Sequence, residues 1–343
     1  MKDFSVLMTC SGSFAKSFAD MLKNNDEGVN VKVYACNMDE HQLPPKGTTD
    51  GDFIAPKITD KDYIPYLLDI CHAKGIDIIM PTVTLELQFM ADHKSELEFN
   101  GVKVSVANSK CIHIANDKIE LQKRYSSIMP RQILPKTCSD VIDFKASLNG
   151  GNMCCKLSNH CGGNGFAIVD DNKALDPILF NRYATDRYIS TADLIKIVER
   201  GTEEVILQEY TEGYDYTVSV LAINGEVTHA VGYVGYLMSY GSIMRGEIMY
   251  NKQAYDIAFR LCKELGIDGN ACFDFRLKYN GDVVLLEINP RLNASLPFVC
   301  QAGVNMAYLR CKNLLGDFSD LGKAYPIKYG LKMRRYYNTA YYE

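Results

Sequence analysis

The residues with the clearest chemical potential lie in a predicted β-hairpin over residues 271–291. Two strand-like runs flank Asn280-Gly281, a dipeptide favoured in two-residue turns because both residues tolerate positive φ. Pairing the two runs symmetrically about this turn places Asp274 opposite Glu287. Opposed residues have Cβ atoms about 4.5–5.5 Å apart, so two carboxylates at these positions repel each other unless a cation lies between them. The hairpin therefore predicts a cation site.

The two faces of this hairpin differ in polarity. Side chains alternate between the faces of a strand, and the same register pairs Lys278 with Val283 and Cys272 with Asn289. The polar face carries Asp274, Arg276, Glu287 and Asn289. The other face is apolar and carries Phe273, Phe275, Leu277, Val284, Leu286 and Ile288. An isolated Asp–Glu pair would favour a solvated surface. The wholly apolar opposite face and the Asn-Pro-Arg sequence that follows favour a functional site instead. Oxygen ligands of this kind suit Mg²⁺ or Mn²⁺ held on nucleotide phosphates.

A lysine and a glycine-rich loop form a second group. Lys156 lies on a strand that enters a loop with Gly162, Gly163 and Gly165, and another strand leaves this loop towards Val169. Glycines let backbone N–H groups approach phosphate oxygens closely, and the lysine adds positive charge. The exit strand distinguishes the pattern from a Walker loop, whose lysine leads into a helix. We expect a flexible hairpin lid over a nucleotide; an ordinary long hairpin loop is the alternative.

Two weaker signals flank this loop. Lys118 begins a helix after Ala115-Asn116-Asp117, where a lone lysine is usually solvated. The apolar strand that starts at Val205 ends in Gln208-Glu209-Tyr210, with Gly213 and Asp215 beyond it. Backbone groups at a strand end can bind an adenine edge, and a nearby carboxylate can accept ribose hydroxyls. Polar residues also end many strands for no such reason.

The elements that must position these residues begin with alternating strand and helix patterns over the first ~110 residues. Such βα alternation predicts a parallel, doubly wound sheet. The turn Ser11-Gly12-Ser13 after the first strand lacks the further glycines of a dinucleotide-binding fingerprint. We therefore interpret it as a structural turn and do not predict NAD.

Composition excludes several classes of protein. The net charge of −5 argues against a general nucleic-acid binder. No run approaches the ~18 apolar residues of a membrane span. The twelve cysteines show no Cys-x-x-Cys framework, which favours a reducing cytoplasm. The six histidines show no zinc-ligand spacing.

Taken in their order along the chain, Lys118, Lys156 with its glycine loop, the segment Gln208 to Asp215 and the hairpin resemble the ATP-grasp superfamily. The resemblance is closer to its carbamoyl phosphate synthetase-like carboxylate–amine ligases. The resemblance runs from the first strand to about residue 310 and implies a mixed α/β and α+β ATP-grasp fold. It implies an N-terminal Rossmann-like pre-ATP-grasp domain over residues 1–110. A small subdomain with the glycine-rich lid would cover 111–207, and a large C-terminal subdomain with the metal site and tail 208–343.

The resemblance also implies roles for individual residues. Lys118 and Lys156 would hold ATP phosphates beneath the loop of Gly162, Gly163 and Gly165. Gln208, Glu209 and Tyr210 would line the adenine pocket, and Asp215 would bind ribose. One or two Mg²⁺ ions would be coordinated by Asp274, Glu287 and Asn289. Arg291 would contact the γ-phosphate or the substrate carboxylate, and Arg276 could stabilise the acyl transition state.

We therefore expect an enzyme that phosphorylates a small carboxylate with Mg-ATP and transfers the acyl group to an amine, releasing ADP and phosphate. A thiol or bicarbonate co-substrate is one alternative, and a non-catalytic ATP-binding sensor or scaffold is another. Only one ATP-grasp unit is visible, which disfavours complete carbamoyl phosphate synthesis. We expect no nucleic-acid or membrane partner, and a homodimer is possible.

Overall fold

The protein is described by a computed structural model over residues 2–12, 14–158, 165–173, 187–239, 242–336 and 339. Over these residues, three β-sheets follow one another along the chain. In the same residues, all helices are shorter or more polar than a membrane-spanning helix has to be. The three sheets lie close to the predicted division at residues 110 and 207, but strand Val205–Glu209 crosses the second of these positions. The domain boundaries themselves stay a prediction.

The first sheet is parallel, with strand order β3-β2-β1-β4-β5. Its strands are β1 (Phe4–Thr9), β2 (Val31–Asn37), β3 (Gly51–Ile54), β4 (Ile78–Pro81) and β5 (Lys103–Val104). Its helices are α1 (Ala15–Lys23), α2 (Tyr63–Lys74), α3 (Thr84–Asp92), α4 (Lys94–Phe99) and α5 (Ser109–Asn116), with a 3₁₀ turn at Glu40–Gln42. Alternate residues of β1 face different helices, since Val6 packs with α1 and Leu7 packs with α2. The predicted doubly wound sheet is confirmed.

The second sheet is smaller and has the order β6-β10-β7-β8-β9. Its strands are β6 (Gln132–Ile133), β7 (Met153–Leu157), β8 (Ala167–Val169), β9 (Tyr188–Ile189) and β10 (Val205–Glu209). Helix α6 (Lys118–Tyr125) precedes it, and helices α7 (Cys138–Ser147) and α8 (Thr191–Arg200) belong to it. Phe144 of α7 and Leu194 of α8 pack against Cys155 and Leu207 of the central strands. These helices therefore cover the face of the sheet that carries Cys155 and Leu207.

The third sheet is antiparallel and has the order β15-β14-β11-β12-β13-β16. Its strands are β11 (Tyr214–Ile223), β12 (Glu226–Ser239), β13 (Ser242–Ile248), β14 (Gly269–Leu277), β15 (Val283–Asn289) and β16 (Lys332–Arg334). Helix α9 (Lys252–Leu265) packs on the face that carries Val220, whereas α10 (Leu296–Gln301) and α11 (Met306–Leu314) pack on the face that carries Leu221. Two residues with positive φ, Asn224 (+49°) and Gly225 (+89°), make the tight turn between β11 and β12.

Candidate active site

The predicted cation site lies on the hairpin of β14 and β15, at one edge of the third sheet. Asp274 pairs with Glu287, as the sequence predicts. Near the turn the predicted register was wrong, because Leu277 and not Lys278 pairs with Val283. Two irregularities of one residue each account for a register that is shifted at the turn and unshifted at the carboxylates.

The first irregularity is the turn itself. The Gly281 N–H donates to the Lys278 carbonyl at 2.9 Å, and the Lys278 N–H donates to the Asp282 carbonyl at 2.8 Å, which closes a loop of three residues. Gly281 has a φ of +94°, whereas Asn280 lies outside the left-handed region. The expected two-residue turn at Asn280-Gly281 was therefore wrong, and the longer loop shifts the pairing by one residue.

The second irregularity is a β-bulge that reverses this shift. Phe275 pairs with Leu285 while its neighbour Asp274 pairs with Glu287, so that Leu286 has no opposite residue. A bulge of this kind places two residues of one strand against one residue of the other. The carboxylates consequently face each other although the turn has a different length from the one expected.

The bulge also changes which residues of β15 face the core. Val283 and Leu285 are buried, whereas Val284 and Leu286 are only half-buried. The prediction for Val284 and Leu286 was wrong because strict alternation fails across a bulge. The rest of the predicted apolar face is buried, namely Phe273, Phe275, Leu277 and Ile288.

The three predicted metal ligands contact one another. Asn289, which lies opposite Cys272 as predicted, donates from Nδ2 to Asp274 Oδ2 at 2.9 Å and to Glu287 Oε1 at 3.1 Å. Thr217 on β11 donates from Oγ1 to the other oxygen of Asp274 at 2.6 Å. Burial, together with the nearby charge of Glu287, raises the pKa of the Asp274 carboxyl above its ordinary value. The amide hydrogens thus lie between two carboxylates, at the place where a cation would be favourable.

The donor set fits a magnesium ion bound together with a nucleotide. In the described residues, no cluster of three or more His, Cys, Asp or Glu side chains could hold a metal by itself. Two carboxylates and an amide oxygen supply only part of an octahedral shell, and Mg²⁺ usually completes such a shell with phosphate oxygens and water. For this, Asn289 would have to turn its Oδ1 and not its Nδ2 towards the ion.

Arg291 connects the hairpin to the first sheet. Its Nε donates to Thr84 Oγ1 at 2.9 Å, and its Nη1 donates to the Leu292 carbonyl at 2.7 Å. Thr84 is the first residue of α3, directly beyond the carboxyl end of strand β4. Ligands of parallel α/β sheets bind at this edge. The predicted γ-phosphate or carboxylate contact therefore lies between two sheets.

Arg276 and Asp215 were predicted separately, but the structure brings them together. They lie opposite each other on β14 and β11, and Arg276 Nη1 is 3.3 Å from Asp215 Oδ1. Arg276 also donates to the Gly213 carbonyl at 3.3 Å. Gly213 has a φ of +141°, and a Cβ there would clash with the Leu277 carbonyl, so this position requires glycine. The ion pair places the predicted ribose ligand on the face that carries the carboxylates.

The two lysines predicted to bind phosphate both lie near the end of β7, one on helix α6 and the other on β7 itself. Lys118, the first residue of α6, donates from Nζ to the carbonyl of Ser158 at 3.0 Å. Lys156 lies on β7 opposite Ile206. It is half-buried, and among the described residues its ammonium group has no hydrogen-bond or ion-pair partner. Its role as a phosphate ligand stays a prediction.

The predicted adenine-binding residues lie on the last part of β10 and just beyond it. Gln208 is buried opposite Cys154. The backbone N–H of Glu209 donates to the Arg131 carbonyl at 2.9 Å, and that of Tyr210 donates to the Asn152 carbonyl at 2.8 Å. These two N–H groups are used by the protein itself. Any adenine contact at Glu209 or Tyr210 has to use other groups of this segment.

The glycines of the predicted lid are only partly covered by the structure. Gly162 and Gly163 lie outside the described residues. Gly165 has a φ of +75°, and a Cβ there would lie 2.6 Å from Cγ of Leu157. Gly165 itself therefore lies against Leu157 at the end of β7, at a position that requires glycine.

Two residues of the site were missed from the sequence. Thr217 bonds Asp274, and Thr84 bonds Arg291, yet both lie far from their partners along the chain. Thr217 is the fourth residue of the mostly apolar strand β11, and Thr84 follows the buried strand β4; threonine is common at such positions. Only the pairing of β11 with β14 and the contact between the first and third sheets identify them.

Two family models match different parts of this chain. Residues 6–105 match the PylC-like, N-terminal domain. Residues 201–339 match the family described as ATP-grasp in the biosynthetic pathway with Ter operon. A curated relative, the carbamoyl phosphate synthase large chain of Buchnera aphidicola subsp. Acyrthosiphon pisum (strain APS), is 23% identical over 235 residues, covering 64% of this chain and 20% of that protein. The chain thus spans about a fifth of that relative's length.

Solved structures share the fold at low sequence identity. The biotin carboxylase domain of the Hydrogenobacter thermophilus 2-oxoglutarate carboxylase, determined with MgADP, ADP and bicarbonate, has a TM-score of 0.63 and 18% identity, over 92% of this chain and 70% of that one. The L-amino acid ligase of Bacillus licheniformis has a TM-score of 0.64 and 14% identity, over 93% of this chain and 77% of that one. These likenesses show the fold.

Proposed function

We propose that this chain is an ADP-forming ligase of the ATP-grasp superfamily and that it joins a small carboxylate to an amine through an acyl phosphate. ATP and Mg²⁺ are the cofactors of this family. The observation that carries the proposal is the half-buried pair of Asp274 and Glu287, which lie opposite each other and both accept from the Asn289 amide. Such a pair is unfavourable without a cation.

Asp274, Glu287 and Asn289 would hold the magnesium ion. When bound, the ion would neutralise negative charge that develops during phosphoryl transfer. Thr217 keeps the Asp274 carboxylate oriented through its hydrogen bond to Oδ1. Because the register at the carboxylates is offset from the hairpin tip by the bulge at Leu286, the proposed ligands would be positioned by the sheet and not by the loop.

The remaining parts of the nucleotide would contact the second sheet and β11. Lys156, with its unpartnered ammonium group in the described part of the chain, and Lys118 would bind the phosphates. Gln208 to Tyr210 would line the adenine, and Asp215 would accept the ribose hydroxyls. In the structure Asp215 already pairs with Arg276, so ribose would have to share this carboxylate with the arginine. Positioning and charge stabilisation would supply the catalysis, and no protein nucleophile is needed.

The substrate carboxylate would bind near Arg291. This arginine is anchored on Thr84, at the edge of the parallel sheet where ligands of such sheets bind. A guanidinium matches a carboxylate or a phosphate with two parallel hydrogen bonds. Arg291 could therefore orient the attacking carboxylate towards the γ-phosphate, while Arg276 stabilises the acyl group during its transfer.

An amine is the proposed acceptor. The L-amino acid ligase of Bacillus licheniformis shares the fold, and so does a carboxylase domain determined with bicarbonate. Bicarbonate as the activated carboxylate is therefore the second candidate. A cytoplasmic location and a homodimer stay predictions; all cysteines in the described residues are unpaired thiols, as a reducing compartment requires.

A substrate screen tests this function. The purified protein with Mg-ATP is incubated with pairs of carboxylates, including bicarbonate, and amines or thiols, while release of ADP and phosphate is recorded. Release that requires both a carboxylate and an amine supports the ligase. Release with bicarbonate alone supports the second candidate. Tight ATP binding without turnover for any pair would contradict both and favour a nucleotide-binding scaffold.

A further inference from the structure

The segment after the last strand brings an arginine next to the site. Strand β16 pairs with β13 at the outer edge of the third sheet, and the N–H of the following Arg335 donates to the Met244 carbonyl at 2.8 Å. Its Nε donates to the Ile243 carbonyl at 3.3 Å, and its Nη2 donates to the Ala294 carbonyl at 2.8 Å. Its guanidinium carbon lies 5.2 Å from the centre of the Phe14 ring. One side chain therefore contacts three segments that are distant in sequence.

Residues 291–295, here named the post-hairpin loop, come after Pro290, which itself follows the proposed metal ligand Asn289. Arg291 anchors this loop on Thr84. Asn293 donates from Nδ2 to Ser219 Oγ at 2.9 Å and to Tyr233 Oη at 3.0 Å, on the face of the sheet below the carboxylates. Arg335 is the third anchor, through the Ala294 carbonyl.

The third anchor needs the geometry of arginine. Two carbonyls, those of Ile243 and Ala294, accept from different nitrogens of one planar group, and the carbon of that group lies over an aromatic ring. A lysine has a single ammonium on a flexible stem and does not reproduce this arrangement. Without Arg335, the post-hairpin loop would lose its connection to β13 and to Phe14, which precedes α1 in the first sheet's domain.

We propose that Arg335 is a positioning residue of the active site: it holds the post-hairpin loop so that Arg291 and Asn289 keep their places for the reaction. The inference rests on the proposed ligase function for its kinetic consequence only. The contacts of Arg335 predict that the loop itself becomes less ordered when the arginine is removed, whichever reaction the protein catalyses.

The neighbouring Arg334 is a matched control. It has the same side chain, but it lies opposite Arg245 on the other face of β16 and is exposed. In the part of the chain that the structure covers, its guanidinium has no hydrogen-bond or ion-pair partner. Removing Arg334 changes the charge as much as removing Arg335 does and leaves the post-hairpin loop untouched.

The test compares Arg335→Ala, Arg335→Lys and Arg334→Ala in the full chain. We expect kcat/KM for the carboxylate to fall about 10²-fold in Arg335→Ala, the usual effect of a displacement of about 1 Å in an active site, with KM for ATP unchanged. Arg335→Lys should recover only part of this loss. Arg334→Ala should stay within about twofold of the wild type. Equal losses in Arg334→Ala and Arg335→Ala would overturn the proposal.

A second measurement does not depend on the reaction. Hydrogen–deuterium exchange of peptides covering residues 291–295 should become faster in Arg335→Ala and not in Arg334→Ala. Unchanged exchange would refute the positioning role even if the protein is a ligase. Faster exchange in a protein that turns over no substrate pair would retain the positioning role and remove the ligase. If Arg335→Ala does not fold, Arg335→Lys and Phe14→Leu provide the same comparison with smaller expected changes.

Discussion

Two groups of carboxylates in this protein differ in their electrostatics. In the site, Asp274 and Glu287 face each other with an amide between them. In the second group, the Lys312 cluster, Glu27, Asp317 and Asp320 surround the buried ammonium of Lys312. Lys312 lies on α11, and its partners come from the α1–β2 connection and from the segment after α11.

The pKa values show the difference. Burial and the charge of Glu287 raise the pKa of Asp274. Burial would also raise the pKa of Asp320, but hydrogen bonds from Lys312, Tyr325 and Lys323 outweigh it and lower that pKa to about 2. The Lys312 cluster contains its own cation and is complete as structure. In the described residues, neither Asp274 nor Glu287 forms an ion pair with a lysine or arginine side chain, and this difference, more than the number of carboxylates, supports the proposed external cation.

The comparison is tested most strongly at Glu287. Glu287→Gln keeps the size and hydrogen-bonding ability of the side chain but removes one of the two charges. We expect turnover to fall at least about 10⁴-fold, because the ion would be held more weakly and several kcal/mol of charge stabilisation would be lost. Thermal stability of the metal-free protein should be unchanged or higher, since a repulsion is removed. Unchanged turnover with Mg-ATP would show that the pair does not serve the reaction.

The sequence predicted which residues of the hairpin lie opposite each other at the carboxylates, but it did not predict the turn and the bulge that produce this pairing. The opposition of Asp274 and Glu287 followed from a symmetric hairpin, although a longer turn and the bulge at Leu286 cancel each other in the structure. Neither the longer turn nor the bulge is marked by the alternation of polar and apolar residues in the sequence. The short edge strand β3 was missed for a similar reason, because Gly51–Ile54 has no apolar run.

Contacts between distant segments were beyond sequence reasoning. The Lys312 cluster joins residues 285 positions apart, and nothing around Glu27 marks it as the partner of a buried lysine. Arg276 and Asp215 were assigned to different tasks because only the pairing of β14 with β11 shows that they form an ion pair. Local pattern predicts which residues share a strand face, whereas the partner across the sheet depends on the whole fold.

The Lys312 cluster gives the second prediction. Lys312→Met removes the cation, keeps much of the volume and leaves three carboxylates close together. We expect the free energy of unfolding to fall by about 3–5 kcal/mol, the usual effect of breaking a buried ion pair. The matched control is Lys323→Met: Lys323 lies 3.2 Å from Asp320 but its side chain is 58% exposed, so about 0–1 kcal/mol is expected. Equal effects in denaturant unfolding would show that burial does not distinguish the two lysines.

Lys156 gives the third prediction, since it is the converse of the carboxylate pair: a half-buried cation with no partner in the described residues. Lys156→Ala should weaken ATP binding by roughly 1–3 kcal/mol through loss of a charge-assisted contact. Lys196→Ala, at an exposed lysine paired with Asp193, should leave nucleotide affinity unchanged. Calorimetric titration with ATP measures both, and an unaltered affinity in Lys156→Ala would remove this residue from the phosphate site.

The smallest effect, and the one that compares the two groups directly, is the pH dependence of stability. The folded-state pKa of Asp274 is raised above its ordinary value of 3.8, so its ionisation disfavours the fold increasingly as the pH rises above that value. Asp274→Asn should therefore raise the melting temperature of the metal-free protein by a few degrees at pH 8, and the difference should disappear towards pH 4. The pKa of Asp320 is lowered to about 2, so Asp320→Asn should lower the melting temperature at neutral pH, and this difference should disappear as the pH falls from 4 to 2. Thermal unfolding scans of both variants and the wild type across this range, without Mg²⁺, measure the two differences. If both variants shift stability in the same direction at pH 8, the two groups of carboxylates do not differ in the way that the site requires.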